Sequence, residues 1–251
     1  MPIRLEADMH THTLASDHAY STLRENCLCA AEHGLKGLAV TDHSPDTPDG
    51  AHLWHFRNLK ILPRVICGVC VLRGAEVNIV DRTGALDMDG ETLAALEWVV
   101  ASMHNACMLD RSFEDCTSAY LAVAENPYVD VIGHCVTNNF LFDYEPCIKK
   151  FGEHGKLVEI NESSLMYKTG ARENSIEVLR LCRKYEVPVV IDSDSHFCEL
   201  IGKTPLGLQL IEETGFPQEL ILNAEWERVQ KYVREKHPGI DFENRDHGFA
   251  K

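Results

Sequence analysis

Apolar stretches of strand length alternate with amphipathic stretches of helical length along most of the chain. The strand-like stretches are apolar almost throughout, which is typical of parallel strands that are covered on both faces. We predict seven strands, at an alternating run formed by Ile3, Leu5 and Ala7 and within 37–41, 69–80, 99–103, 129–132, 157–160 and 187–191. Helices are predicted between them at 23–34, 91–98, 115–125, 145–155 and 173–185. This repeated order of strand and helix predicts an α/β fold with a parallel barrel.

A single domain is expected, because no linker, internal repeat or low-complexity segment divides the 251 residues. Two more helical stretches, 205–215 and 224–236, follow the seventh strand with no clear strand between them. We therefore expect one domain over 1–251, with the barrel over about 1–205 and a C-terminal helical segment over about 206–251. Barrel enzymes place their chemistry at the carboxyl ends of the strands.

The composition excludes some classes of function. Hydrophobic residues make up 45% of the chain, but no apolar run approaches the roughly 20 residues of a membrane span. The start, Met1-Pro2-Ile3-Arg4, lacks the regions of a signal peptide, so we expect a cytoplasmic protein whose ten cysteines are reduced. The net charge of −15 argues against nonspecific binding of nucleic acid, which requires clustered Lys and Arg. The Cys67-x-x-Cys70 spacing has no second pair, which disfavours a zinc ribbon or a redox motif.

Histidines and carboxylates stand at the carboxyl end of nearly every predicted strand. His10 and His12 are two residues apart, so both imidazoles point to the same side of an extended chain. The full set at strand ends, or in the loops that leave them, is His10, His12, His18, His43, Glu76, His104, His134, Asp194 and His196. Glu159 and Asn161 stand at the end of the sixth strand. One such histidine is more often a capping or core residue than a ligand, but nine groups that meet at one barrel mouth indicate a metal site.

The chemistry of these nine side chains suits a cluster of ions. A tetrahedral zinc ion takes four ligands, so nine nitrogen and oxygen donors suit two or three ions with one bridging carboxylate. Imidazole and carboxylate without thiolate favour zinc, manganese or iron over calcium. Asp8 and Asp42 are interpreted as residues that orient the histidines from behind.

The same motifs resemble those of the PHP (polymerase and histidinol phosphatase) family. They are Asp8-x-His10-x-His12, Thr41-Asp42-His43, Gly74-x-Glu76-x-Asn78, the single His104 and His134, and Ser193-Asp194-Ser195-His196. The runs at 18–22, 54–56 and 63–65 are similar to the YcdX-type phosphatase branch, and the resemblance extends from residue 5 to about 205. It implies a distorted seven-stranded (β/α)7 barrel of the PHP type, with three divalent metal ions that are usually zinc.

The resemblance also implies which residues share an ion. The first ion would be held by His10, His12, Glu76 and Asp194; the second by Glu76, His104 and His134; and the third by His18, His43 and His196. Two positions depart from the family pattern without removing a ligand. Ser44 follows the Thr-Asp-His motif where this branch usually has glycine, and Cys135 follows His134 where relatives often have proline. Cys135 is interpreted as a packing residue. The alternative is that its thiolate binds at the metal site and tunes or inhibits it.

These features predict a metal-dependent phosphoesterase that hydrolyses a small phosphomonoester with a water activated by the ions and without a protein nucleophile. Arg57, Lys168 and Arg172 are candidates to bind the anionic substrate, although each is equally well explained as a surface charge. The run 54–56 would either wall the pocket or pack its loop.

Other functions stay open on the sequence alone. They are a phosphodiesterase acting on a nucleotide, a histidinol-phosphatase-like hydrolase with a different pocket, a metal-dependent amidohydrolase, and a catalytically silent metal-binding regulatory protein. A bridging carboxylated lysine would favour the amidohydrolase, and no lysine stands at a predicted strand end. We expect a small phosphorylated substrate as partner, no nucleic acid and no membrane, and the sequence leaves a homo-oligomer open.

Overall fold

The computed structural model describes residues 3–242 and contains a sheet of seven parallel strands with one short antiparallel strand beside it. The strands are β1 (Ala7–Thr11), β2 (Gly37–Val40), β3 (Val65–Ile66), β4 (Val69–Asn78), β5 (Trp98–Ser102), β6 (Val131–Ile132), β7 (Leu157–Asn161) and β8 (Val189–Asp192). The helices are α1 (Leu23–Glu32), α2 (Leu53–Asn58), α3 (Gly90–Ala94), α4 (Phe113–Val123), α5 (Tyr144–Glu153), α6 (Glu162–Tyr167), α7 (Ala171–Tyr185), α8 (Pro205–Thr214) and α9 (Trp226–Lys236). Residues 1–2 of the expected barrel and 243–251 of the expected helical segment lie outside the described residues.

The parallel strands pair in the order β1-β2-β4-β5-β6-β7-β8. The predicted distorted (β/α)7 barrel is therefore confirmed. Most predicted bounds agree with the structure within two or three residues, but the first strand is shifted toward the carboxyl end, because its pairing with β2 begins only at Ala7. The helices α2 and α6 are not predicted from the sequence, because six residues are too few to show a helical period.

The CxxC spacing belongs to a hairpin turn. β3 pairs antiparallel with β4, and Ile66 lies opposite Val69, so Cys67 and Gly68 form a two-residue connection. Their φ angles are 52° and 86°, and a tight hairpin turn of this length requires positive φ at both central residues. The turn accounts for the spacing without a metal or redox role. All ten cysteines are free thiols.

A buried apolar layer fills the barrel interior, and α9 closes one end of it. Met9, Leu72 and Trp98 belong to this layer, and Trp226 of α9 packs against it. The ring of Trp226 lies where a Cβ on Gly37, the first residue of β2, would clash. Helix α9 thus covers the amino ends of the strands, which leaves the carboxyl ends for polar side chains. Within residues 3–242, no helix is long and apolar enough to cross a membrane.

A buried amide side chain joins β8 to β1, beside a direct hydrogen bond from the N–H of Met9 to Oδ1 of Asp192 at 2.8 Å and a parallel bridge between Thr11 and Ser195. Nδ2 of Asn223 donates to the carbonyl oxygens of Ala7, at 3.0 Å, and Ile191, at 2.8 Å. Its Oδ1 accepts from the N–H of Ile191 at 3.1 Å. The segment that carries it also forms a parallel bridge from Ile221 to Val189. An irregular segment therefore occupies the place of an eighth strand, and its hydrogen bonds join the two edges of the sheet.

We expect Asn223→Ala to lower the free energy of unfolding by about 2–4 kcal/mol, because it leaves buried backbone groups of Ala7 and Ile191 without partners. Urea unfolding followed by circular dichroism measures this change. Asn58→Ala is the matched control, since Asn58 is exposed and its side chain caps no helix. Equal free energies of unfolding for the two variants would contradict the role of Asn223 in closure.

Candidate metal centre

The carboxyl ends of the strands bring the nine predicted ligands together in one place. The rings of the seven histidines form a connected group, in which neighbouring ring centroids lie 4.1–6.2 Å apart. Two members have a left-handed backbone that is rare outside glycine, with φ of 26° at His134 and 53° at Asp194. Such backbone strain is found preferentially at functional sites.

Donor atoms of four of these residues lie close to one another. Nε2 of His10 lies 3.4 Å from Oε2 of Glu76 and 3.6 Å from Oδ1 of Asp194. Nε2 of His12 lies 3.6 Å and 3.2 Å from the same two oxygens. A tetrahedral zinc ion with ligands at roughly 2 Å separates its ligand atoms by about 3.3 Å. The four measured separations, 3.2–3.6 Å, are close to this value, and His10, His12 and Glu76 form a group of mutually close donors that could hold an ion.

Glu76 lies at the centre, and its two oxygens face different imidazoles. Its Oε1 is 2.7 Å from Nε2 of His134 and 3.3 Å from Nε2 of His104. Its Oε2 faces Nε2 of His10 and of His12 and lies 2.8 Å from Nδ1 of His43. The side chain of Glu76 is only 1% exposed. A carboxylate placed between two sets of donors has the geometry of a bridging ligand.

The outer rim of the centre includes a carboxylate that the sequence motifs do not contain. Nδ1 of His18 lies 2.5 Å from Oδ2 of Asp49, and the same oxygen lies 3.9 Å from Nε2 of His43. His18 groups with His43 and Asp49, whereas His196 groups with His12 and His43. The rings of His18 and His196 nevertheless stack, with centroids 4.1 Å apart. The sequence signal for Asp49 is weak, since it is one of several acidic residues in the loop after β2.

Several buried polar atoms of the centre have no hydrogen-bond partner. They are Nε2 of His10, His12 and His196, Nδ1 of His43 and Oε2 of Glu76. Burying such atoms without partners is costly, and every one of them belongs to the donor groups described above. The donor set therefore fits divalent metal ions, which would engage these atoms.

Residues behind the histidines fix the orientation of two rings. Oε1 of Glu159 accepts a hydrogen bond from Nδ1 of His10 at 2.7 Å, which directs Nε2 of the ring toward the centre. Oδ1 of Asn78 lies 2.7 Å from Nδ1 of His104 and has the same effect. Both partners stand in strands next to the ligands, but only the structure shows which ring each of them contacts.

Asp8 and Asp42, which were predicted to orient the histidines, bind other groups. Asp8 accepts hydrogen bonds from the N–H and the hydroxyl of Ser193, because it points across the closure toward the loop after β8. Asp42 accepts from the hydroxyl of Ser16 at 2.9 Å, and Ser16 Oγ lies 3.3 Å from Nδ1 of His12. Asp8 therefore fixes a loop instead of an imidazole, and Asp42 reaches His12 through a serine.

Electrostatics in the centre keep its carboxyl groups ionised but act on its imidazoles in opposite directions. Burial alone would lower the pKa of His10, His43 and His134, but the neighbouring carboxylates outweigh burial and raise the pKa of all three rings. Burial alone would raise the pKa of Glu76 and of Asp194, but the surrounding imidazoles outweigh burial and hold both carboxyl groups well below their usual pKa. Burial and the neighbouring His43 lower the pKa of His12 to about 3, so its ring is neutral near pH 7. Ionised carboxylate and neutral imidazole are the forms that bind metal ions.

A cavity of about 300 Å³ opens over the centre, and Lys168 lies in its wall. The other two cationic candidates lie elsewhere. The guanidinium of Arg57 binds Asp89 at 2.9 Å, and that of Arg172 binds Glu213 at 2.5 Å. Each is held by a partly exposed carboxylate away from this cavity, so the structure leaves Lys168 as the candidate that is placed to meet an anion.

Cys135 and the aromatic run after β2 also lie outside this cavity. Cys135 is buried in the apolar core, where burial raises the pKa of its thiol to about 12, so it packs as a neutral group. Trp54 and His55 line a separate cavity, and Phe56 is buried in the core. Phe56 therefore packs its loop, whereas Trp54 is 73% exposed and neither packs the loop nor lines the cavity over the centre.

Relatives match the chain over nearly its whole length. A probable phosphatase of Clostridium botulinum (strain Hall) is 41% identical over 234 residues, which cover 93% of this chain and 96% of that protein. A probable phosphatase of Clostridium novyi is 42% identical over 232 residues, which cover 91% and 94% of the two chains. The chain belongs to this family of phosphatases. As a member it is a hydrolase, although no family model matches it.

Solved structures share the fold of this phosphatase. The histidinol phosphate phosphatase of Lactococcus lactis, complexed with zinc, L-histidinol and phosphate, has a TM-score of 0.58 and 16% identity, and the match covers 84% of this chain and 94% of that one. The hisK protein of Listeria monocytogenes has a TM-score of 0.57 and 18% identity, with 78% and 97% covered. At these identities the likeness supports the barrel fold.

We expect Glu159→Gln to weaken zinc binding by this phosphatase about tenfold or more, because the buried carboxylate no longer supports the ring of His10. Competition against a chromophoric chelator measures the affinity. Glu177→Gln is the control, since Glu177 lies on the surface of α7 and binds Arg180. Equal zinc affinity in the two variants would contradict the role of Glu159.

Proposed function

We propose that the chain is a metal-dependent phosphatase of the PHP family, in its YcdX-type branch, and that it hydrolyses a small phosphomonoester. The observation that carries this proposal is the position of buried Glu76 between two sets of imidazoles at the carboxyl ends of the strands. The 41% identity to a probable phosphatase supports the reaction class. Because α9 closes the barrel, we also propose that the barrel and the C-terminal helices act as one domain.

The donor groups support a centre of three divalent ions, with zinc as the first choice and manganese or iron as alternatives. We assign His10, His12, Glu76 and Asp194 to the first ion, Glu76, His104 and His134 to the second, and His18, His43 and His196 to the third. Asp49 adds an oxygen at the third position. Such ions neutralise phosphoryl oxygens and lower the pKa of water to about 7.

The side chains at the mouth fit hydrolysis without a protein nucleophile. In this reaction the oxygen of water bonds to phosphorus, the bond from phosphorus to the leaving oxygen breaks, and a proton passes to the leaving group. Lys168 in the cavity wall supplies a positive charge for the phosphoryl oxygens. The hydroxyl groups of Ser16 and Ser193 donate to Asp42 and Asp8, so both are engaged in the structure.

We expect Glu76→Gln and Asp194→Asn to lower phosphate release by at least about 100-fold, because each removes a charge that holds an ion in place. Release is measured from p-nitrophenyl phosphate and from a panel of phosphomonoesters. Histidinol phosphate belongs to the panel, since the Lactococcus lactis enzyme shares the fold. The protein is loaded separately with Zn²⁺ and Mn²⁺, and its metal content is measured.

Glu177→Gln serves again as the surface control and should keep wild-type turnover. A Glu76→Gln protein with wild-type turnover would overturn the bridging role. Wild-type protein that holds its ions and releases no phosphate from any phosphomonoester would overturn the proposed substrate class, and phosphodiesters would then be tested.

A further inference from the structure

A second cavity of about 360 Å³ opens beside the metal centre, and we name it the side cavity. It shares His18, Asp194 and His196 with the cavity over the centre, so the two cavities are direct neighbours. The remaining walls come from the loop after β1, from α6 and from the loop after β8. The apolar side chains among them are Tyr20, Met166, Tyr167, Phe197 and Leu200.

These apolar walls are unusually exposed. Tyr20 is 76% exposed and Tyr167 is 72% exposed. Within residues 3–242, thirteen large apolar side chains remain exposed, and five of them line this one cavity. Exposed apolar surface that is concentrated in one place is costly to keep in water and marks a binding site.

The location of the side cavity indicates which part of a ligand it receives. A phosphoryl group is charged and belongs among the imidazoles and Lys168, where apolar walls would contribute nothing. Whatever is bonded to that phosphoryl group must extend out of the centre. The side cavity begins at the shared residues Asp194 and His196, and it has the volume of a small-ligand site. Its aromatic walls offer ring faces and edges against which a planar group packs well.

We propose that the side cavity binds the leaving group of the substrate, and that this group carries an aromatic ring. The proposal rests on the phosphatase function and specifies its substrate class as phosphomonoesters of alcohols that bear a ring. Tyr167 and Met166 of α6 are the specificity-determining residues that lie apart from the ligands in sequence. Because they contact the leaving group, their substitution should change which phosphomonoesters the enzyme prefers.

The test compares two esters with similar leaving-group chemistry, 2-phenylethyl phosphate and ethyl phosphate. We expect the wild-type enzyme to show a kcat/KM at least about tenfold higher for the phenylethyl ester. Tyr167→Ala should reduce this ratio about fivefold, and the double variant with Met166→Ala should reduce it further. Phe113→Ala is the matched control, since this aromatic residue is half exposed at the start of α4, outside the side cavity, and should leave the ratio unchanged.

A wild-type ratio near one, with the same ratio in the variants, would overturn the proposal while leaving the phosphatase function intact. The same conclusion follows if the variants alter only the oligomeric state in size-exclusion chromatography, because the side cavity would then be an interface between copies. If neither ester is hydrolysed, the result contradicts the phosphatase function and leaves the side cavity untouched. Calorimetric binding of 3-phenylpropylphosphonate against propylphosphonate then tests the side cavity directly, and equal affinities would overturn it.

Discussion

The rest of the barrel mouth depends on a negative charge that Glu76 holds almost completely out of water. An ionised carboxylate without compensation in such a place would cost several kcal/mol. The structure offsets the charge with imidazoles that come from different strand ends, and both oxygens face them. A closed parallel sheet is suited to this task, because it brings the carboxyl ends of all its strands to one side. The closed parallel sheet therefore places the imidazoles that offset the charge of Glu76.

The need to offset the charge of Glu76 with imidazoles explains why the donor atoms are not all hydrogen-bonded. Hydrogen bonds behind the rings, from Glu159 and Asn78, hold His10 and His104 with a nitrogen directed inward. The inward atoms cannot all pair with one another, since a nitrogen lone pair of one imidazole repels that of the next. Bound cations would resolve this conflict and would also offset part of the large negative charge of the chain.

The sequence predicts the fold and which side chains meet at the barrel mouth, because both follow from local patterns. Apolar strands have a recognisable length, and the repeated occurrence of histidine or carboxylate at strand ends indicates a shared site, although one such residue would not. The residues that the sequence analysis missed or assigned to the wrong place have contacts with residues far away in the chain. Asp49 reaches His18 across two loops, and Arg57 turns away to bind Asp89. Asn223 closes the sheet from a segment without strand character, so no periodicity in the sequence could reveal its role.

The closure by Asn223 has a consequence for how the protein is made. His10 lies on the first strand and Asp194 just beyond the last, so their separation is defined only when the two edges of the sheet are joined. Asn223, which takes part in joining them, lies 31 positions after Asp192, which it also contacts. A chain growing on the ribosome would thus have synthesised all nine ligands before it could fix their mutual positions. Because the nine side chains are spread from His10 to His196, the centre can take its final geometry only after most of the chain has been synthesised.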